Sequence, residues 1–237
     1  ALRSLDHLVV IDIFLTETAQ LADIVFPATS WAETDGTFTN TERRIQRVRK
    51  AISPPGKARP DWWIISQIAQ RMGIDGFGFE SAKDVFNELC SLSPIYAGLN
   101  WEKIDQGKYQ WPVPYEGHPG TPMLHKDKFR NGRGLFKLIC YRDPAETIND
   151  EFPVWLTTGR RLESYHTRTQ TGRSQGIDYL LSEERLEVHP DDVKAWGINN
   201  NDWCLMSSPR GSIKIKVNAT RRSPRGTVFT TFSFSEV

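Results

Sequence analysis

Apolar and polar positions follow three different rhythms along the chain. Residues 8–13 and 22–28 are short, nearly continuous apolar runs rich in Val and Ile, separated by the polar stretch Thr16-Glu17-Thr18-Ala19-Gln20-Leu21. Such runs predict strands of a parallel sheet covered on both faces, in β-α-β order. Pro60 and Asp61 then open a helix in which Ile65, Ile68, Ala69 and Met72 recur at helical spacing, with Asp61 at the N-cap and Gly73 past the end. A second helix starts at the capping box Ser81-Ala82-Lys83-Asp84 and turns Val85, Phe86 and Leu89 inward. Residues 1–95 therefore predict an α/β domain.

Over residues 96–152 the periodicity fades, and Gly, Pro and aromatic residues take over, as in Trp111-Pro112-Val113-Pro114 and His118-Pro119-Gly120-Thr121-Pro122. Aromatics at that density argue against disorder and predict an ordered connecting segment. Residues 153–237 change again. Val154–Thr157 reads as a strand, and a short helix spans 190–196 between Pro190 in its first turn and Gly197 beyond it. Trp203–Ser207, a Ser208-Pro209-Arg210-Gly211 turn and the alternating Ser212–Asn218 follow, with Ile213, Ile215 and Val217 on one face. Thr227–Phe234 supplies a further strand, and the whole predicts a compact β-barrel.

Charge narrows the function classes. Thirty basic and 29 acidic residues leave a net charge of +1 in 237 residues, so there is no field for non-specific nucleic-acid or anionic-membrane binding. No apolar run is long enough to span a bilayer, so no membrane insertion is expected. Cys90, Cys140 and Cys204 are far apart and lack Cys-x-x-Cys or His spacing, which predicts no disulfide framework, no metal ligand set, no iron–sulfur cluster in this chain, and a reducing, cytoplasmic setting. Opening on a strand pattern and stopping without a polar tail, the chain reads as a piece of a longer polypeptide.

Candidate chemistry concentrates in a few stretches. Gly36-Thr37-Phe38-Thr39-Asn40-Thr41-Glu42-Arg43-Arg44-Ile45-Gln46 sets hydroxyls, backbone amides and two guanidiniums where a pyrophosphate could be held; a polar turn leading into a strand is the plainer reading. Thr157-Thr158-Gly159-Arg160-Arg161, followed by Tyr165-His166-Thr167, puts cations and small donors at a strand tip, with His166 open to roles as base, ligand or hydrogen-bond donor. In Arg59-Pro60-Asp61-Trp62, capping explains Asp61 about as well as binding does. Glu183-Glu184 and Asp191-Asp192 read as solvated faces or helix starts.

Taken together, these stretches resemble a known family. Asp12-Ile13-Phe14-Leu15-Thr16-Glu17-Thr18-Ala19, Ala22-Asp23-Ile24-Val25-Phe26-Pro27-Ala28, the Gly36–Gln46 stretch and Arg59-Pro60-Asp61-Trp62 look like consecutive signatures of the molybdopterin oxidoreductases that carry a bis-guanine-dinucleotide cofactor. Leu156–Arg160, Tyr165–Thr167, Val188-His189-Pro190-Asp191-Asp192 and Gly226-Thr227-Val228-Phe229 look like that family's dinucleotide-binding domain. Within the family, Trp111-Pro112, His118-Pro119-Gly120-Thr121 and Leu124-His125 look most like formate dehydrogenases.

The resemblance implies part of a Rossmann-like α/β cofactor domain, a crossing segment and a truncated double-psi β-barrel. It implies two-electron oxidation of formate to carbon dioxide, or the reverse, at molybdenum or tungsten held by bis-molybdopterin guanine dinucleotide. The cofactor-binding residues it implies are Asp12, Asp61, Thr158, Gly159, Arg160, Arg161, Tyr165, His166, Thr167 and Phe232, with no catalytic residue and no metal ligand in this chain. The implied partners are the N-terminal part of the same catalytic subunit, which would hold the metal ligand, and electron-transfer subunits with iron–sulfur clusters. The chain alone is expected to be inactive. A nitrate reductase or other bis-pterin oxidoreductase, and a metal-free structural subunit of the same descent, are the alternatives. Two positions depart from the family pattern: Ser164 stands where many relatives have His, and Arg168 where they have Gly.

Overall fold

The computed structural model describes residues 1–234, which divide into two units, one spanning Ala1–Phe136 and the other starting at Lys137. In the first, β1 (Val9–Asp12) and β2 (Ile24–Pro27) pair in parallel with Asp12 opposite Pro27. Their connection contains a single 3-10 turn, Ala19–Leu21, with the Ala19 amide donating to Thr16 Oγ1 at 3.3 Å. The expected covering of both faces is not found, because Val9 and Ile24, at the N-terminal ends of the strands, are exposed. The sheet is extended at its other end by a bridge from Ala28 to Arg59, whose amide donates to Pro27 O at 3.0 Å.

The Gly36–Gln46 stretch forms most of an antiparallel hairpin, β3 (Gly36–Thr39) against β4 (Ile45–Val48). Helix α1 (Asp61–Arg71) begins at Asp61, but its inward face is rotated from the expected one. Ile64, Ser66 and Ala69 are buried, whereas Ile65 is exposed and Met72 is 71% exposed. Ser66 can occupy a buried position because its hydroxyl donates to Trp62 O at 2.7 Å, the next turn back. Helix α2 (Ala82–Leu92) has the expected reciprocal capping box between Ser81 and Asp84, and buries Phe86 and Cys90 while Leu89 is left exposed. Burial pushes the Cys90 thiol up to about 11, so it packs as a small hydrophobe.

Residues beyond α2 complete this unit's core. Leu99, Ile104 of α3 (Trp101–Ile104), Tyr109 and Val113 pack with Ile45, Phe86 and Cys90. Each large side chain so buried contributes about 1.5–3 kcal/mol. The early part of the aromatic-rich segment, as far as Val113, thus packs against the hairpin.

In the second unit β5 (Trp155–Gly159), α4 (Gln175–Leu180), β6 (Arg185–Val188), α5 (Pro190–Ala195), β7 (Trp203–Ser208), β8 (Gly211–Ala219) and β9 (Thr227–Thr231) follow in order. The strands form one mixed sheet in the order β5-β9-β6-β8-β7, with β5 parallel to β9, β6 antiparallel to β9, β6 parallel to β8, and β7 antiparallel to β8. Since β5 and β7 are its two edges, the sheet among the described residues is open. Ile215 and Val217 of the alternating strand are buried with Leu186, Val188, Val193 and Val228. β9 stops at Thr231, short of the expected Phe234, and β6 and α4 were not foreseen.

Candidate functional site

The first unit gathers its chemistry at the C-terminal end of the β1–β2 pair, the end at which open α/β sheets bind ligands. Asp12 closes β1, and its Oδ1 accepts the amides of Ile13 at 2.7 Å and Phe14 at 3.3 Å. Arg59 bridges to the end of β2, and one proline later the chain enters α1. That proline is the N-cap, so Asp61 is the first helical residue and makes no side-chain capping bond, contrary to its expected N-cap place. Among the described residues the Asp61 carboxylate has no hydrogen bond or ion pair. Loss of water around the carboxyl, and then the negative charge of Asp12, raise its pKa above the ordinary value. Arg59 does not answer this charge: its guanidinium donates to Ala58 O at 2.8 Å and lies 6.0 Å from the Trp63 ring. The arrangement offers acceptors and asks for donors.

The paired arginines of the hairpin have other work. Arg43, in the left-handed region at φ 67°, donates to the carbonyls of Trp111, of Thr121 at 2.8 Å and of Pro122 at 2.9 Å, and stacks on Trp111. Arg44 donates to Gly107 O at 3.0 Å and pairs with Glu42. Both guanidiniums stitch residues 107–122 to the hairpin, which favours bracing over phosphate binding.

In the second unit, β5 and β9 run parallel and end side by side, Gly159 opposite Thr231. A side chain at Gly159 would put its Cβ 2.8 Å from the Phe229 ring, so the strand tip admits only glycine without a shift. Thr158 lies one step back, opposite Thr230. Arg160 leaves the tip exposed, its guanidinium 5.2 Å from the Phe232 ring, and among the described residues it meets no carboxylate. Arg161 turns the other way, donating to the buried Glu187 at 3.0 Å. Tyr165 and His166 are exposed with their rings edge to face at 4.8 Å, and His166 sits at φ 50°. Thr167 Oγ1 lies 3.1 Å from Thr169 Oγ1. The structure therefore brings Thr158, Gly159, Arg160 and Phe232 to one strand end, with Tyr165, His166 and Thr167 on the loop that follows, and gives Arg161 a structural partner.

Sequence reading missed the polar residues under this surface. Glu184 is buried and accepts the Thr231 hydroxyl, and Asp192 is buried and accepts the Gly226 amide at 2.7 Å. Each belongs to an acidic pair that reads as solvated, and only three-dimensional pairing distinguishes the buried member. Among the described residues no group of three His, Cys, Asp or Glu stands close enough to hold a metal, and no helix is long and apolar enough to cross a membrane.

Residues 1–71 match the family described as Molybdopterin oxidoreductase, and residues 154–237 match the Molydopterin dinucleotide binding domain. The F420-dependent formate dehydrogenase subunit alpha of Methanocaldococcus jannaschii is 46% identical over 239 residues, covering 100% of this chain and 36% of that protein. The assimilatory nitrate reductase catalytic subunit of Bacillus subtilis is 35% identical over 240 residues, covering 97% of this chain and 34% of that protein. Among solved structures, acetylene hydratase from Pelobacter acetylenicus shares the fold with a TM-score of 0.71 at 21% identity, over 95% of this chain and 33% of its own. The chain thus spans about a third of the length of the curated relatives it matches. With a matching domain at each end and whole-chain similarity between them, the chain belongs to the molybdopterin oxidoreductase family.

Proposed function

We propose that this chain forms part of the cofactor walls of a formate dehydrogenase, in a Rossmann-like first domain and a double-psi barrel whose described strands are the open sheet. The observation that carries the reading is the 46% identity over the whole chain to a formate dehydrogenase alpha subunit, against 35% to a nitrate reductase. The residues present fit a guanine dinucleotide by their chemistry. Among the described residues, Asp61 is an acceptor without a donor and Arg160 is a cation without an anion.

In this reading Asp61, with Asp12 behind it, receives the ring N–H and exocyclic amine of guanine in the fork geometry that carboxylates accept. Thr158, the Gly159 backbone and Arg160 meet phosphate oxygens, with Phe232 fixing the Arg160 plane. Tyr165, His166 and Thr167 supply the flanking loop, and Arg161 braces it through Glu187. The bound bis-pterin group, with molybdenum or tungsten, supplies the centre at which formate loses two electrons and one proton to become carbon dioxide. The metal ligand, iron–sulfur clusters and electron-transfer subunits lie outside this chain; the name "subunit alpha" of the relative favours such partners.

The test is the full-length protein assayed for formate-dependent reduction of a dye and, separately, for nitrate-dependent oxidation of a reduced dye, with metal and released guanine nucleotide quantified. Formate turnover with both present is expected. Nitrate turnover alone would move the protein to the nitrate reductases, and a preparation lacking metal and guanine would make it a structural subunit.

A further inference from the structure

Three consecutive residues after β9 each hold a different residue of the 160–168 segment. Phe232 lies under the Arg160 guanidinium at 5.2 Å, Ser233 donates its hydroxyl to His166 O at 3.0 Å, and Phe234 lies under the Arg168 guanidinium at 4.2 Å. The middle contact is anchored from below. The Ser233 amide donates to Thr231 Oγ1 at 3.1 Å, and the Thr231 hydroxyl donates in turn to Glu184, whose other oxygen accepts the Arg185 amide at 3.1 Å. Ser233 is 1% exposed, and Thr231 and Glu184 are each 7% exposed, so these three side chains are largely out of water and would be costly to leave unpaired.

What this chain of bonds holds is a loop in an uncommon conformation. His166 and Arg168 both have positive φ, at 50° and 64°, and neither is glycine, so the loop needs outside contacts to stay there. Ties within the loop include the Arg168 amide to Tyr165 O at 3.0 Å, the Gly172 amide to Arg168 O at 2.9 Å, the Tyr165 amide to Thr171 Oγ1 at 3.3 Å and the Thr167–Thr169 hydroxyl contact. These engage its flanks rather than the His166 carbonyl. The Arg168–Asp178 ion pair fixes its far end to α4. The contact to the His166 carbonyl fixes its centre.

We propose that Glu184, Thr231 and Ser233 are positioning residues: a buried clasp that holds the His166 loop and the Arg160–Phe232 stack in the arrangement that receives the dinucleotide. The proposal rests on the reading of that strand end as a dinucleotide site. None of the three touches the ligand in it; they act through the His166 carbonyl and the backbone between Thr231 and Phe232. Thr231 is the centre of the clasp because one hydroxyl both accepts from Ser233 and donates to Glu184.

The experiment uses the full-length protein with Thr231→Val, which keeps the shape and removes the hydroxyl, Ser233→Ala, which removes only the tie to His166, and Thr231→Ser, which restores the hydroxyl. Two quantities are read: amide exchange across residues 162–174 in protein made by a host unable to synthesise the pterin, and guanine nucleotide released per folded molecule from a normal host. Thr231→Val and Ser233→Ala are expected to speed exchange in that segment by roughly tenfold, the effect of losing one buried hydrogen bond. Both should lower guanine content several-fold, and Thr231→Ser should recover both quantities. A core variant elsewhere in the unit, Val217→Ala, should lower the melting temperature and move neither. Unchanged exchange in both Ser233→Ala and Thr231→Val overturns the clasp and leaves the cofactor reading standing. Faster exchange with wild-type guanine content overturns the loop's role in binding, and the positioning role with it. If Thr231→Val does not fold, Ser233→Ala decides alone.

Discussion

Among the described residues, the two units leave opposite charges unanswered. At the strand ends of the first, Asp61 has no donor among the described residues, feels Asp12, and begins a helix. At the strand ends of the second, Arg160 has a ring beneath it and, among the described residues, no carboxylate. Several other arginines are matched within the fold: Arg43 and Arg44 bind backbone carbonyls, Arg47 and Arg49 share Asp105, and Arg161 is paired with Glu187. Asp61 and Arg160, both exposed at strand ends, have no such partner among the described residues, which suits groups kept for a ligand. In the proposed reading, each unit taken by itself, the N–H donors of a guanine would answer Asp61 and phosphate oxygens would answer Arg160.

The sharpest way to break this contrast is to exchange the roles of neighbours. Arg161→Ala removes the partner of a buried glutamate, and breaking a buried pair in this way costs about 3–5 kcal/mol. The second unit should therefore melt well below wild type. Arg160→Ala should leave stability within about 0.5 kcal/mol, as an exposed substitution does. It should instead weaken dinucleotide binding by roughly 1.5–3 kcal/mol, seen as less metal and less guanine per folded protein. If the two variants behave alike in thermal denaturation, the distinction between a bracing and a binding arginine at this tip is lost.

Arg43→Ala tests the same distinction in the first unit. It strips donors from three carbonyls of residues 111–122, and the expected cost is about 1.5–3 kcal/mol of stability, with guanine content per folded molecule unchanged. Loss of guanine without loss of stability would return Arg43 to the phosphate-binding role that its place beside glycine and threonines first suggests.

These contrasts show where sequence is informative and where it is not. The strands 203–208 and 211–219, the helix at Pro190 and the Ser81–Asp84 capping box are legible because each rests on local chemistry: alternation, a proline at a first turn, a reciprocal pair three residues apart. Strand β6 was not legible, since Arg185-Leu186-Glu187-Val188 is too short and too charged to read as core until Arg161 arrives from another strand tip to neutralise Glu187. The α1 face was misread for a related reason. A buried serine that bonds its own helix looks polar in sequence and apolar in place. At the candidate site, the resemblance proposes the residue types, but the division of Arg160 from Arg161, and the bonds through Glu184, depend on which neighbours the sheet order supplies.

The smallest predicted effect is also the most discriminating, because stability and binding should move in opposite directions. Asp61 has a folded-state pKa above its ordinary value, so the folded protein binds its proton more tightly than the unfolded chain does. Stability contributed by this group therefore falls as pH rises through that raised pKa, and at neutral pH the ionised carboxylate is a net cost. Asp61→Asn removes the charge while keeping a residue that suits a helix start. Its melting temperature at neutral pH should equal or slightly exceed that of wild type, and the difference should vanish as pH drops below the ordinary carboxylate range. Were Asp61 simply a structural residue, nothing else would change. As the guanine acceptor it has a second consequence: the amide nitrogen faces a donor and the negative charge is gone, so binding falls by roughly 1–3 kcal/mol, one to two decades in affinity. Guanine released on denaturing the variant, measured beside its melting curve, separates the two. A more stable protein with less guanine identifies an unpaired charge kept for its ligand, whereas wild-type guanine with any melting temperature returns Asp61 to the helix it begins.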